Sequence, residues 1–182
     1  MLELALHILD ITENSIRAGA NLVRILIKED LAKNLFLMLI TDNGQGMSPE
    51  EQLKALDPFY TTKKVRRIGL GLPLLSDAAA RTGGKMTLRS RPGAGTTVAA
   101  EFSLNHIDRQ PLGDIASALI AIIAGNPGID IVYRHKVNGR TYLLDTRDIK
   151  KALDDIPLNH PEVTGFLRKH IAEGLRDIGT AA

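Results

Sequence analysis

The run "LHILDITENSIRAGA", Leu6 to Ala20, sets an Asp, an Asn and an Arg into what otherwise reads as a buried helix. At about 100° per residue, Glu3, His7, Asp10, Asn14 and Arg17 fall within an arc of about 80°, while Leu2, Leu6, Ile8, Leu9, Ile11 and Ile16 take most of the remaining circumference. A solvated helix face is broad and rich in Lys and Glu. A thin line of mixed polar residues between apolar ones suggests instead a helix that lines a cleft. Asn14 offers a neutral carbonyl oxygen of the kind Mg²⁺ accepts. Asp10, one turn earlier, is placed to orient or deprotonate a water or hydroxyl, or to hold a metal-bound water. The same spacing also fits a salt-bridged helix in which Asp10, Asn14 and Arg17 serve only one another.

Outward from this helix the pattern alternates between strands and helices. "NLVRILIKED" alternates apolar and polar residues, and "NLFLMLITDN" is almost continuously apolar up to Asp42, so both read as strands. Gly44 and Gly46 follow in "DNGQGM", a spacing that lets backbone approach a flat ligand, with the Asp42 carboxylate able to accept from an exocyclic amine. Ordinary turn chemistry explains Asp-Asn-Gly equally well. Ser48-Pro49-Glu50-Glu51 is a helix start. Gly69 and Gly71 in "IGLGL" stand where a loop enters a second helix, which ends at Gly83-Gly84, so free N–H groups and a positive helix end face outward as a phosphate site. The cations of Lys63 to Arg67 lie directly before it, as a loop closing over a polyphosphate requires. "KMTLRSR" and "TTVAAEFSL" are two further strands joined by "PGAG".

Composition narrows the class. The 182 residues are 44% apolar, enough for a real core, and no apolar run approaches the roughly 18 residues of a membrane span. "MLELALH" lacks a basic leader and the chain has no Cys, which points to a cytoplasmic address and away from disulfide or thiolate-metal frameworks. A net charge of +2 does not indicate a nucleic-acid partner.

Taken together and in order, these segments resemble the ATP-binding domain of the GHKL superfamily, which spans histidine kinases, mismatch-repair ATPases, type II topoisomerases and chaperone ATPases. The resemblance covers about residues 2 to 104. "DITENSIRAGA" resembles the Asn box, "DNGQGM" the first glycine box, "DPFYTTK" the Phe box and "GLGLPLL" the second glycine box, while "GGKMTLRSRPGAGTTVAAEF" resembles the closing strands of a histidine kinase catalytic domain. The resemblance implies an α/β two-layer sandwich of the Bergerat type, a mixed sheet with helices on one face. It implies ATP and Mg²⁺ as cofactors. Asn14 would ligate the metal, with Arg17 beside it on the stripe; Asp42 would take the adenine amine; and Gly44, Gly46 and Met47 would line the base. Thr62 and Lys63 would belong to the lid, Gly69, Leu70, Gly71 and Leu72 would hold the phosphates through backbone N–H, and Thr96 would support the adenine end.

The departures shape the functional expectation. Histidine kinases carry a dimerisation domain with the phosphoacceptor His before the ATP domain, and here the Asn box helix begins at about Leu2, so the acceptor is expected on another molecule. Hydrolysing members place a Glu four residues before the box Asn, where this chain has the shorter Asp10. His7 shares the stripe but is fixed on the same helix as the metal ligand, which suits packing better than in-line phosphate acceptance. The expected activity is that of a stand-alone ATP-Mg²⁺ histidine kinase-like protein kinase acting on or regulating a partner protein. The alternatives are an ATPase switch with slow hydrolysis through Asp10, and a non-catalytic ATP sensor or anti-sigma-like binding protein.

Past Leu104 the motifs stop. The sequence divides into an ATP-binding domain over 1–104 and a small α+β appendage over 105–182: a linker, an apolar helix from Ile115 to Ala124, a hairpin about Asn138-Gly139, and helices around 148–155 and 161–178. The appendage is expected to pack on the ATP domain or to offer a homodimer or partner surface.

Overall fold

A computed structural model describes residues 2–57, 71–154 and 156–180. Helix α1 (Leu4–Arg17) buries Leu4, Ala5, Ile8 and Ile11, and Gly19 lets the chain turn at φ 78° into the sheet. Strands β1 (Leu22–Asp30) and β2 (Leu35–Asp42) alternate buried and half-exposed positions along their length. Helix α2 (Pro49–Ala55) opens with Ser48 and Glu51 capping each other reciprocally and Pro49 in the first turn. Then come α3 (Gly71–Arg81), β3 (Lys85–Arg91) and β4 (Gly95–Ser103).

The C-terminal residues join the same sheet. After α4 (Ile115–Gly125), strand β5 (Asp130–Val137) pairs in parallel with β1, and β6 (Arg140–Asp145) closes the edge through a turn with Asn138 at φ 47° and Gly139 at φ 90°. Helices α5 (Thr146–Ala152) and α6 (Pro161–Ile178) complete the described chain. The sheet order is β3-β4-β2-β1-β5-β6, antiparallel at every pairing except β1 with β5. A parallel return needs a crossover, and α4 supplies it.

One face of the sheet carries the core. Ile25, Met38, Ala100, Phe102, Ile131 and Tyr133 point from four strands toward a helix layer in which α1 packs on α3 and α4, and α4 on α6. This is the mixed-sheet, two-layer α/β fold expected from the sequence, and its apolar cluster runs without interruption from Leu4 to Ile178. The segment after β4 ties into it directly. No side chain caps α1, and its first amides are taken by the carbonyls of Pro111 and Leu112, both at 2.9 Å. Three buried polar groups complete the interior at one end of the sheet: His135 bridges the Tyr133 hydroxyl at 2.8 Å and the Glu29 carboxylate at 2.7 Å. Among the described residues no helix is long and apolar enough to cross a membrane.

Candidate functional site

The site is built where the C-terminal end of β2 meets α1. Asp42 is the last residue of β2 and 9% exposed. Its Oδ1 accepts from the amides of Gly44 at 2.9 Å and Thr96 at 3.2 Å, and its Oδ2 from the Ser15 hydroxyl at 2.7 Å. Ser15 also lies 3.1 Å from the Ile11 carbonyl, but a hydroxyl has one proton and the charged acceptor is the closer. A carboxylate has about four lone-pair positions. Three donors fix its orientation and, among the described residues, leave one position for a further donor.

The loop after Asp42 is clamped from two sides. Gln45 donates to the Ala18 carbonyl at 2.8 Å, and the Gly93 amide donates to the Gln45 carbonyl at 2.7 Å. The sequence assigns Gly44 and Gly46 to close approach of a ligand, and both are also crowded by the protein itself. A Cβ on Gly46, which sits at φ 69°, would stand 1.9 Å from the Arg91 carbonyl oxygen, and one on Gly44 would stand 2.9 Å from that of Ala18. Gly95, at φ 79°, is held the same way, 2.0 Å from the Asp42 carbonyl oxygen. Met47 follows, its amide donating to Ser90 Oγ at 2.8 Å; Ser90 in turn meets Thr96 Oγ1 at 2.8 Å. Gln52 of α2 brackets Ser90 through its carbonyl and amide. Ser15, Ser90 and Gln52 are the residues that motif reasoning misses. Only the periodicity hints at them, since each is polar at a position its element turns inward.

The other half of the site is the polar stripe. Asn14 Nδ2 donates to Asp10 Oδ2 at 3.4 Å, and its Oδ1 accepts from the Arg17 guanidinium. Arg17 also pairs with Glu13 at 3.6 Å and is half exposed. Asp10 lies against the first described turn of α3: a Cβ on Gly71 would stand 1.8 Å from Asp10 Oδ2, so a side chain there would displace the carboxylate or the helix. Leu72, next to it, packs on the core. The stripe divides at His7, which is 1% exposed and bonds Gln110 at 3.1 Å through Nε2. Burial holds the His7 pKa below its ordinary value. Of the residues singled out in the sequence, Asp10, Asn14, Arg17 and Gly71 come together on one side, and Asp42, Gly44, Gly46, Met47 and Thr96 on the other. Thr62, Lys63, Gly69 and Leu70 lie outside the described residues, as does the Phe box beyond Asp57.

Residues 2–106 match the pattern of the Histidine kinase-, DNA gyrase B-, and HSP90-like ATPase family. The chain belongs to that family. Its relatives include the non-motile and phage-resistance protein of Caulobacter vibrioides, 30% identical over 107 residues, a match covering 56% of this chain and 13% of the other. They also include the sensor protein kinase FleS of Pseudomonas aeruginosa, 34% identical over 108 residues, covering 59% of this chain and 26% of that one. The matched part therefore spans about a quarter or less of those relatives' own length. Among solved structures, the Aquifex aeolicus MutL ATPase domain complexed with ADP superposes with a TM-score of 0.53 at 15% identity, over 93% of this chain and 88% of that one. That likeness of fold covers more of the chain than the family pattern, whose last matched residue is 106.

Proposed function

We propose that the chain binds ATP with Mg²⁺ in the cleft between α1, the 42–47 loop and α3, and that it phosphorylates or regulates a partner protein as a histidine kinase-like module. The observation that carries this reading is the Asp42 carboxylate, buried and held by three donors with one acceptor position left, as recognition of an exocyclic amine demands. Thr96 and Met47 support the same end through backbone and side-chain bonds.

At the phosphate end the donor set fits a hard cation. Asn14 Oδ1 and the Asp10 carboxylate stand one helical turn apart on the cleft side of α1, and among the described residues the Asn14 oxygen is engaged only by Arg17, an exposed and movable side chain. Asn14 would hold Mg²⁺, which neutralises phosphate charge when bound. Arg17, released from Asn14, would meet a phosphate oxygen, and the backbone at Gly71 would lie against the phosphates at the head of α3. Transfer then breaks the bond between the γ-phosphorus and its bridging oxygen as an acceptor side chain takes the phosphoryl group and ADP departs. His7 does not serve as acceptor, being buried and bonded to Gln110. A nucleotide substrate suits a cytoplasmic setting.

A second reading, an ATPase switch, is favoured by one feature: Asp10 lies against the head of α3, where it can orient a water toward a bound γ-phosphate. Incubation with γ-labelled ATP and Mg²⁺, with and without candidate partners, separates the two. Label on a partner supports the kinase. Steady phosphate release that Asp10→Asn abolishes supports the switch, and tight binding with neither outcome leaves a sensor. Unchanged nucleotide affinity in Asp42→Asn overturns the ATP site itself.

A further inference from the structure

The helix layer covers one face of the sheet; on the other, no described element packs. Side chains on that second face form registered rows across the strands. Leu35, Leu37 and Leu39 make a column down β2, the third strand of six, with Leu26 of β1 directly beside Leu39 and Ala99 of β4 on its other side. None of these leucines belongs to the core or packs on it, and each is only half buried. The three-leucine column is about 14 Å long at ~3.4 Å per residue, close to two and a half turns of an α-helix.

The flank of this column is basic. Arg24 and Lys28 of β1 face the same way, and in the next strand so do Arg134 and Lys136. Lys28 stands directly opposite Lys136 in the parallel pairing, an arrangement that costs stability because like charges face each other across strands. Asp30 pairs with Lys28 at 3.1 Å. For Arg24, Arg134 and Lys136 no carboxylate lies within ion-pair distance among the described residues. Folding alone does not account for a four-cation cluster placed against an apolar column on an open face.

We propose that this face is a docking surface for an acidic amphipathic helix of a partner protein, which lays its apolar stripe along the β2 leucines and turns its carboxylates toward β1 and β5. A helix about 10 Å wide covers two strands, the breadth of the apolar strip, with the β1 and β5 cations on one side; on the other, Glu101 of β4 pairs with Lys85 of β3, and Arg89 lies beyond. Nucleic acid fits less well because the face holds, among the described residues, no aromatic side chain on which a base would stack; Phe36, Phe102, Tyr133 and Tyr142 all point into the core. A membrane fits less well for the same want of aromatic anchors. A second copy laid face to face would bring two surfaces together that each carry more cations than carboxylates. The proposal concerns a surface on the opposite side of the sheet from the helix layer and does not rest on the phosphoryl-transfer reading.

The test uses the whole chain with methyl-labelled leucines. The probe is a spin-labelled four-turn helical peptide with leucines at i, i+4, i+7 and i+11 and glutamates along one flank. Binding that broadens the methyls of Leu26, Leu37 and Leu39, weakens with salt, and falls at least roughly tenfold in Arg134→Glu/Lys136→Glu supports the surface. The double variant leaves nucleotide affinity unchanged, so failure here is distinguishable from failure of the ATP site. Equal binding of a peptide with lysines in place of the glutamates, broadening of methyls elsewhere, binding only to vesicles of phosphatidylserine in phosphatidylcholine, or self-association broadening the same methyls without peptide each overturns it.

Discussion

Ser15 Oγ donates to Asp42 Oδ2 at 2.7 Å, joining the buried side of the first helix to the end of the second strand. The bond lets α1 set the orientation of the carboxylate proposed to recognise the base. Ser15→Ala removes one of three donors to a buried charge, and the expected loss is about 1–3 kcal/mol of folding stability with a several-fold weaker affinity for a fluorescent ATP analogue. Asp42→Asn presents an amide to at least one donor that needs an acceptor. It is expected to cost more than 100-fold in the same titration, and an affinity within threefold of the parent would refute the assignment.

Gly71 and Asp10 exclude a side chain between them. In Gly71→Ala the new Cβ meets Asp10 Oδ2 at 1.8 Å, so the head of α3 or the carboxylate must move. The expected outcome is a destabilisation of ~1–3 kcal/mol and loss of nucleotide binding. Asp10→Ala in the same chain restores room, so the two changes together are expected to cost less stability than their sum, with a coupling of about 0.5–3 kcal/mol in chemical denaturation. Strict additivity would mean that the crowding is relieved by backbone movement instead.

His7 supplies a pH dependence of stability. Burial lowers its pKa in the folded state from 6.5, so the unfolded chain binds the proton first as pH falls. Stability is then full above about pH 6.5 and declines as pH drops toward the folded-state value. In His7→Gln this contribution vanishes. Melting temperatures of the two proteins between pH 5 and 7.5 are expected to converge on the acid side, and parallel curves would contradict the account.

Tyr142 makes the opposite kind of prediction. Its ring lies under α6, where a Cβ on Gly174 would come within 2.2 Å of it. Its hydroxyl is buried with no hydrogen-bond partner among the described residues, and burial pushes its pKa up to about 12. Tyr142→Phe removes an unsatisfied polar atom without opening a cavity and is expected to be neutral or stabilising by up to ~1 kcal/mol. Gly174→Ala is expected to destabilise by ~1–3 kcal/mol through overpacking, read in the same thermal melts.

Much of this architecture is legible in the residues, and the exceptions share a cause. Local chemistry marks its own elements: Ser48-Pro49 opens α2, Asn138-Gly139 makes the hairpin, and the 3.6-residue pattern of α6 begins at Pro161 and stops at Gly179. Helix α5 starts at Thr146, earlier than the apolar pattern suggests, because Asp145 caps it by accepting from the Arg147 amide. What pattern does not reveal is pairing at long range. Nothing in "IDIVYRHKV" says that it lies parallel to β1, so the C-terminal part reads as an appendage when it is the edge of the same sheet. The site divides the same way. Asp42, Asn14 and Asp10 stand out as polar residues among apolar ones, whereas Ser15 is hidden because an inward serine on a helix ordinarily bonds the carbonyl four residues back, as Ile11 is placed to accept here. Gly44 and Gly46 are conspicuous, but only the structure reveals that Ala18 and Arg91 also crowd them.

The parallel pairing of β1 with β5 also bears on how the molecule is made. The partner of strand β1 on that side lies ~100 residues later in the chain, which at about 5–20 residues per second is a wait of order 5–20 s during synthesis. During that interval one edge of β1, carrying the alternating Val23, Ile25 and Ile27, has unfilled backbone donors and acceptors, the kind of edge that recruits foreign strands. Lys28, Glu29 and Asp30 at its far end place charge where such recruitment would extend. The nascent chain therefore carries its own deterrent to misassembly through a period in which the nucleotide-binding half is synthesised and its sheet is still unfinished.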